Sequence, residues 1–132
     1  MRNWRFLYFI FCLSCIIGYT RAQGPGIKFD NSIHNFGQIK EQDGPVSHTF
    51  WFANNGDSLL VVNDVLVSCG CTTPDWTRTP VKPGERGFIK VEYDPVGQPG
   101  DINKYLTIKS NALVQQTKLY IRGEVITMAK PA

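Results

Sequence analysis

Beyond residue 22, apolar and polar residues alternate along most of the chain with a period of two. Within residues 46–54, Phe50 and Phe52 share one face with Val46 and His48, and small or polar residues occupy most of the other face. This alternation is typical of a strand with one buried face. Trp51 falls on the second face and is either a core residue or part of a patch on an exposed sheet face.

Seven such segments follow one another, and no stretch has the 3.6-residue period of a helix. They are residues 26–30, 32–39, 46–54, 59–68, 87–93, 104–110 and 117–125. Turn sequences separate several of them, and Lys82–Glu85 and Gln98–Asp101 each place Pro-Gly at the centre, as a type II turn prefers. We therefore predict an all-β fold, an immunoglobulin-like β-sandwich of about seven strands, with a small barrel as the competing architecture.

The first 22 residues have the order of a secretory signal peptide. Arg2 and Arg5 precede an uncharged apolar run over residues 6–19, and small residues lead to Ala22. The run is shorter than the roughly 20 residues of a membrane span. Cys15 raises a lipoprotein alternative, which the apolar residues after it disfavour. We predict cleavage near Ala22, a secreted or periplasmic protein, and a single domain over residues 23–132 without a membrane span.

Removal of the signal peptide changes the charge and the cysteine count. The net charge of +3 comes from three arginines in residues 1–22, so residues 23–132 hold eleven basic and eleven acidic residues. Such a balance gives no electrostatic argument for binding nucleic acid. Cys12 and Cys15 also leave, and Cys69 and Cys71 remain in a compartment where thiols oxidise.

Cys69 and Cys71 allow several kinds of chemistry. A disulfide between them requires a tight turn, for which Gly70 permits the backbone angles, and a three-residue loop gains only roughly 1.6 kcal/mol of stability. A short, strained disulfide also suits a thiol–disulfide redox pair. Two thiolates suit Cu(I), and zinc needs two further ligands. His34, His48 and Met128 are available but are not spaced to chelate locally, so we predict no bound metal and no cofactor, and favour a structural role.

Several motifs occur in a familiar order. These are Phe36–Ile39 (FGQI), Phe52–Gly56 (FANNG), Ser68–Trp76 (SCGCTTPDW), Pro80–Asn111 and Leu119–Val125 (LYIRGEV). Their order resembles a bacterial family called domain of unknown function 1573, which is similar to the immunoglobulin-like ASH, MSP and Hydin-like domains. The resemblance covers about residues 27 to 126. It implies a secreted or periplasmic β-sandwich without an established activity, whose better-studied relatives act as binding and scaffolding modules.

The sequence offers no recognisable catalytic set. Ser68 lacks His and Asp partners at a familiar spacing, and no Gly-x-Ser-x-Gly occurs. We therefore predict a non-enzymatic module that binds another protein or a cell-envelope component. The candidate binding loop comprises Cys69, Gly70, Cys71, Thr72, Thr73 and Trp76. Trp76 is either an anchor for the partner or a residue that folds back over the end of the sandwich.

One tripeptide suggests a modification. Asp57-Ser58-Leu59 resembles an acceptor for O-glycosylation in some Gram-negative secretory systems, and the surrounding turn at residues 54–58 would leave Ser58 exposed.

Overall fold

Two four-stranded sheets face each other in the computed structural model, which describes residues 23–127. The predicted signal peptide and Met128 lie outside the described residues. The strands are β1 (Lys28–Phe29), β2 (Ile33–Lys40), β3 (Val46–Ala53), β4 (Val62–Val67), β5 (Thr72–Trp76), β6 (Arg86–Tyr93), β7 (Gly100–Ser110) and β8 (Gln116–Ile126). A single 3-10 turn, Glu41–Asp43, is the helical element of this part of the chain.

The strand order is β1-β3-β6-β5 in the first sheet and β2-β8-β7-β4 in the second. All neighbouring strands are antiparallel except β2 and β8, which run in parallel. The all-β sandwich is thereby confirmed. Each of the two sheets has four strands.

The core lies between the two sheets and is formed by the faces that the alternation predicts. Phe50 and Phe52 of β3 are fully buried, whereas Trp51 between them is 48% exposed, so Trp51 belongs to the outer sheet face. The second sheet contributes Leu106, Leu119 and other aliphatic residues. Because every central strand alternates in this way, a one-residue slip of register would move its apolar side chains into water.

The structure has eight strands rather than seven, and the additional strand lies in the segment that the sequence analysis treats as a loop. Thr72–Trp76 pairs antiparallel with β6, with Thr72 opposite Tyr93 and Trp76 opposite Ile89. Proline and aspartate are depleted in strands, which is why the segment does not resemble one. An edge strand tolerates Pro74 because one side of its backbone has no neighbouring strand.

The two predicted Pro-Gly turns have different outcomes. Lys82–Glu85 forms the expected turn, with a hydrogen bond from Glu85 N to Lys82 O and a positive φ at Gly84. The prediction at Gln98–Asp101 is wrong, because the turn lies three residues earlier. Gln98 N donates to Pro95 O, and Gly97 supplies the positive φ at the third position that a type II turn requires.

The strand directions divide the loops between two opposite ends of the sandwich. The N-terminal end holds residues 23–27, 54–61, 77–85 and 111–115, and the disulfide end holds residues 41–45, 68–71 and 94–99. The described chain therefore begins at one end and reaches Thr127 at the other. Among residues 23–127 no helix has the length and apolar character needed to cross a membrane.

Candidate functional site

The Cys-Gly-Cys segment forms the corner that carries the chain from β4 in one sheet to β5 in the other. Cys69 and Cys71 are joined by a disulfide with their Cα atoms 5.4 Å apart, and both are half-buried. The predicted tight turn is present, but Gly70 is not among the glycines with positive φ, so the turn forms without a left-handed backbone at this position. A Cβ atom added at Gly70 would meet nothing within 4 Å, which shows that this position faces open space.

Thr72 fixes the corner from the inside. Its side chain is buried, and its Oγ1 lies 3.6 Å from Cys69 Sγ and 4.0 Å from Cys71 Sγ. Its backbone N–H donates to Cys69 O at 3.3 Å. Tyr93 lies opposite Thr72 on β6, and burial, and secondarily the carboxylate of Asp94, raises the pKa of its phenol. The corner therefore rests on two buried residues, Thr72 and Tyr93.

An open cavity of about 560 Å³ lies beside the disulfide. Both cysteines line it, together with Pro45, Val96 and the carboxylates of Glu92 and Asp94. Val96 is 62% exposed, so the cavity combines an accessible apolar side chain with a negative rim. Pro45, Glu92, Asp94 and Val96 are not among the site residues predicted from the sequence. The sequence signal for Glu92, Asp94 and Val96 is that they fall within Pro80–Asn111, one of the segments that carry the family resemblance, and Pro45 has no such signal.

The negative charge extends over the loops of the disulfide end. Glu41 accepts a hydrogen bond from Gly97 N at 2.8 Å, which joins the loop after β2 to the loop after β6. The acidic residues in these loops or within two residues of them are Glu41, Asp43, Glu92, Asp94 and Asp101, and Lys40 is the one basic residue in the same stretches. This end of the molecule is therefore complementary to a positively charged surface.

The predicted site residues separate into two groups. The first group, Cys69, Gly70, Cys71 and Thr73, lines the cavity, and Thr72 is buried behind it. Trp76 lies at the opposite end of β5 and packs against the core. The guanidinium carbon of Arg78 is 3.5 Å from the centre of the Trp76 ring, which covers one face of the indole. Trp76 thus has the contacts of a residue that closes the sandwich, and it does not line the cavity.

The outer edge of β5 is closed to a further strand. Cys71 O and Thr77 N bond to the β6 side, so Thr72, Pro74 and Trp76 direct their backbone groups away from the sheet. Thr72 N–H is used by Cys69 O, Pro74 has no N–H, and Trp76 N–H donates to Asp75 Oδ1 at 2.9 Å. An edge without free donors offers a further strand only its carbonyl acceptors, which disfavours strand addition. Contact through side chains and the cavity is therefore favoured at this corner.

The two histidines, which the sequence places 14 residues apart, meet between the sheets. The rings of His34 on β2 and His48 on β3 are stacked with centroids 3.6 Å apart and planes 6° apart. Phe36 and Phe50 each present an edge to one of these rings. Burial lowers the pKa of both histidines, and for His48 the neighbouring His34 lowers it further. Over residues 23–127 no set of three His, Cys, Asp or Glu side chains is grouped to hold a metal ion.

A comparison with known protein families shows which family the chain belongs to. Residues 27–125 match the family described as "Protein of unknown function (DUF1573)". This match covers most of the chain, so the protein belongs to the DUF1573 family, as the order of its motifs indicates. No functionally curated protein matches it.

Solved structures show the same fold in longer proteins. A protein of unknown function from Porphyromonas gingivalis W83 aligns over 83% of this chain and 51% of its own, with 18% identity and a TM-score of 0.69. The secreted serine protease VesC and the VesB protease, both from Vibrio cholerae, align at 14% identity with a TM-score of 0.59. This chain covers 24% of VesC and 31% of VesB. At these identities the likeness concerns the fold alone, and the chain spans about half or less of each protein.

Proposed function

We propose that this protein is a secreted or periplasmic, non-enzymatic binding module that contacts another protein or a cell-envelope component through its disulfide end. The observation that carries the proposal is the open cavity beside Cys69 and Cys71. A disulfide corner supported by buried Thr72 presents this cavity with little freedom to rearrange. A pre-ordered surface loses less entropy on binding than a mobile loop.

The chemistry of the cavity favours a partner with a basic side chain next to an apolar one. Val96 and Pro45 offer apolar contact, while the exposed carboxylates of Glu92 and Asp94 attract a cation. Asp94 also accepts a hydrogen bond from Val96 N at 3.0 Å, which holds the loop around it. Glu92 has no such structural bond among the described residues and is therefore the better residue to change.

A photo-crosslinking amino acid at position 70 tests the proposal directly. Because the space in front of Gly70 is open, the bulky side chain fits without strain. We expect crosslinked species in the cells that produce the protein, and we expect Glu92→Lys to remove them by reversing the charge at the rim. Glu85→Lys makes the same charge change at the N-terminal end and should leave them in place.

The same crosslinker at Lys82, also at the N-terminal end, reports non-specific capture. Crosslinks from position 82 that match those from position 70, or crosslinks that survive Glu92→Lys, would contradict the assignment of the binding surface. Trp76→Ala is a poorer probe, since Trp76 packs against the core and its loss would disturb the fold itself.

Thiol–disulfide exchange is the second candidate function, and the position of both disulfide-bonded cysteines in the lining of the cavity favours it. In such a reaction a thiolate of the partner attacks one sulfur, a mixed disulfide forms, and the other cysteine leaves as a thiolate. The purified protein should then accelerate the reduction of insulin by a dithiol. Inert protein in that assay would remove this candidate and leave the binding module.

A further inference from the structure

Ser58 lies in the loop between β3 and β4, at the end of the sandwich opposite the disulfide. Asp57, Ser58 and Leu59 are all exposed, and Leu59 remains 51% exposed although it is aliphatic. The whole chain contains no other Asp followed by Ser or Thr. We propose that Ser58 is the attachment site of an O-linked glycan, with Asp57 and Leu59 as the flanking residues that the transferase recognises.

The loop presents Ser58 in one defined position. The buried side chain of Asn54 donates to Ser58 O at 2.7 Å and to Val81 O at 2.9 Å, so the backbone at Ser58 is fixed from below. The side-chain oxygen of Asn54, Oδ1, accepts a hydrogen bond from Gly56 N at 3.0 Å, and this bond shapes the turn that precedes Ser58. The side chains of residues 57–59 are exposed, and Asp57 Oδ2 accepts a hydrogen bond from Gln23 N at 3.2 Å. A fixed turn with exposed side chains is accessible to an enzyme without local unfolding.

The Ser58 hydroxyl is oriented by its neighbour. Ser58 Oγ donates to Asp57 Oδ1 at 2.9 Å, and this bond is the first cause of the lowered pKa of Asp57. The proton of the hydroxyl thus points at a carboxylate, and the lone pairs of Oγ point away from it. Since Ser58 is exposed, its oxygen atom is accessible in this arrangement to an electrophilic carbon held by a transferase.

The transfer balances with a glycan activated as a glycosyl diphosphate of a polyprenol. Ser58 Oγ forms a bond to the anomeric carbon, and the bond from that carbon to the diphosphate oxygen breaks. The hydroxyl proton passes to a base of the transferase and from there to solvent, and the polyprenyl diphosphate leaves. The glycan then stands at the N-terminal end, where it does not cover the cavity beside Cys69 and Cys71.

Ser32 provides a matched control within the same chain. Ser32 is also an exposed serine in a loop, and the residue after it, Ile33, is an exposed aliphatic residue. The residue before it is Asn31, whereas the residue before Ser58 is Asp57. If an exposed serine before an aliphatic residue were sufficient, both serines would be modified. If the preceding carboxylate is required, only Ser58 is modified, and Asp57→Asn should abolish the modification.

The test is the intact mass of the full-length protein expressed in its own cells and purified. We expect a mass above that of the polypeptide by a set of sugar residues, lost in Ser58→Ala and Asp57→Asn and retained in Ser32→Ala. Alkaline β-elimination should release the added mass from wild-type protein. Wild-type protein at the polypeptide mass, an increment that persists in Ser58→Ala, or an increment of one phosphate group would each overturn the assignment.

The inference rests on the secretion part of the proposed function, and the same spectrum separates the two. Cleavage after Ala22 lowers the polypeptide mass by the mass of residues 1–22, whether or not a glycan is present. A cleaved chain without added mass overturns the glycan and leaves secretion standing. An uncleaved chain without added mass overturns both. Thermal unfolding at the wild-type temperature shows that Ser58→Ala has not failed to fold.

Discussion

At the scale of single residues, Asn54 is the most connected polar side chain in the described structure. It is 1% exposed, and its amide bonds to the backbones of Gly26, Gly56, Ser58 and Val81. These four partners belong to three separate loops at the N-terminal end. The Asn54 side chain therefore holds these three loops together at the N-terminal end.

Asn54→Ala should lower the free energy of unfolding by about 2–4 kcal/mol, because it leaves buried backbone donors and acceptors without partners. Urea unfolding followed by tryptophan fluorescence measures the change. Asn55→Ala removes an exposed asparagine beside it and should stay within about 0.5 kcal/mol of wild type. Equal losses for the two variants would show that the buried hydrogen bonds of Asn54 contribute little.

The residue scale also shows where prediction from the sequence ends. Alternation places Phe50 and Phe52 in the core because strand periodicity is local information. The contacts of Asn54 with Gly26 and Val81 span 28 and 27 residues, and nothing in a short window of sequence indicates them. The cavity is equally hard to predict from the sequence, because the order of the strands in the sheets brings Glu92 and Val96 close to Cys69.

At the scale of elements, β2 is held to the first sheet by an unusual contact. The imidazoles of His34 and His48 stack across the gap between the sheets, each with a phenylalanine edge beside it. On the strands alongside, the residues in register are Ile121 of β8 and Val91 of β6, neither of which is charged. Two protonated rings at this distance would repel each other without a counter-ion.

This arrangement predicts a loss of stability in mild acid. The pKa of each histidine is lowered below 6.5 in the folded state, so the unfolded chain binds more protons as the pH falls. Stability should therefore be complete above about pH 6.5 and decline as the pH falls through the lowered folded-state pKa values. Urea unfolding at pH 8 and pH 5.5 measures this difference.

The variant His34→Gln/His48→Gln should show a smaller difference in stability between the two pH values. Its stability at pH 8 is not the readout, because replacement of the stacked rings changes packing as well as charge. A variant that retains the full wild-type decline between pH 8 and pH 5.5 would assign the acid sensitivity to other groups.

At the scale of elements the sequence predicts seven segments, and each of them contains a strand. It misses β5 because Pro74 and Asp75 are poor strand residues, although an edge position accepts them. It also shifts some boundaries, since the segment at residues 104–110 begins as a strand at Gly100. Local propensity therefore predicts central strands better than edge strands, whose formation depends on the neighbour that they pair with.

At the scale of the whole molecule, the core rather than the disulfide holds the sandwich together. Buried apolar residues from both sheets form one continuous cluster. The Cys69–Cys71 link closes a loop of only three residues, for which the loop-entropy relation gives roughly 1.6 kcal/mol. The cysteines consequently contribute more to the shape of one end than to the stability of the fold.

Cys69→Ala/Cys71→Ala should therefore fold, with the free energy of unfolding lowered by about 2 kcal/mol or less. Circular dichroism reports the retained sheets, and denaturant unfolding reports the energy. Wild-type protein treated with a reductant is the matching control, since it breaks the link without changing the side chains. A variant that cannot fold would assign the corner a role in stability that its loop length does not predict.

The parallel pairing of β2 with β8 has a mechanical consequence. The described chain enters at the N-terminal end, and Thr127 follows β8 at the disulfide end, so tension along the chain pulls β2 and β8 in opposite directions along their own axes. Hydrogen bonds perpendicular to such a pull are loaded together rather than opened one after another. A domain of this design therefore resists extension along this axis before it unfolds.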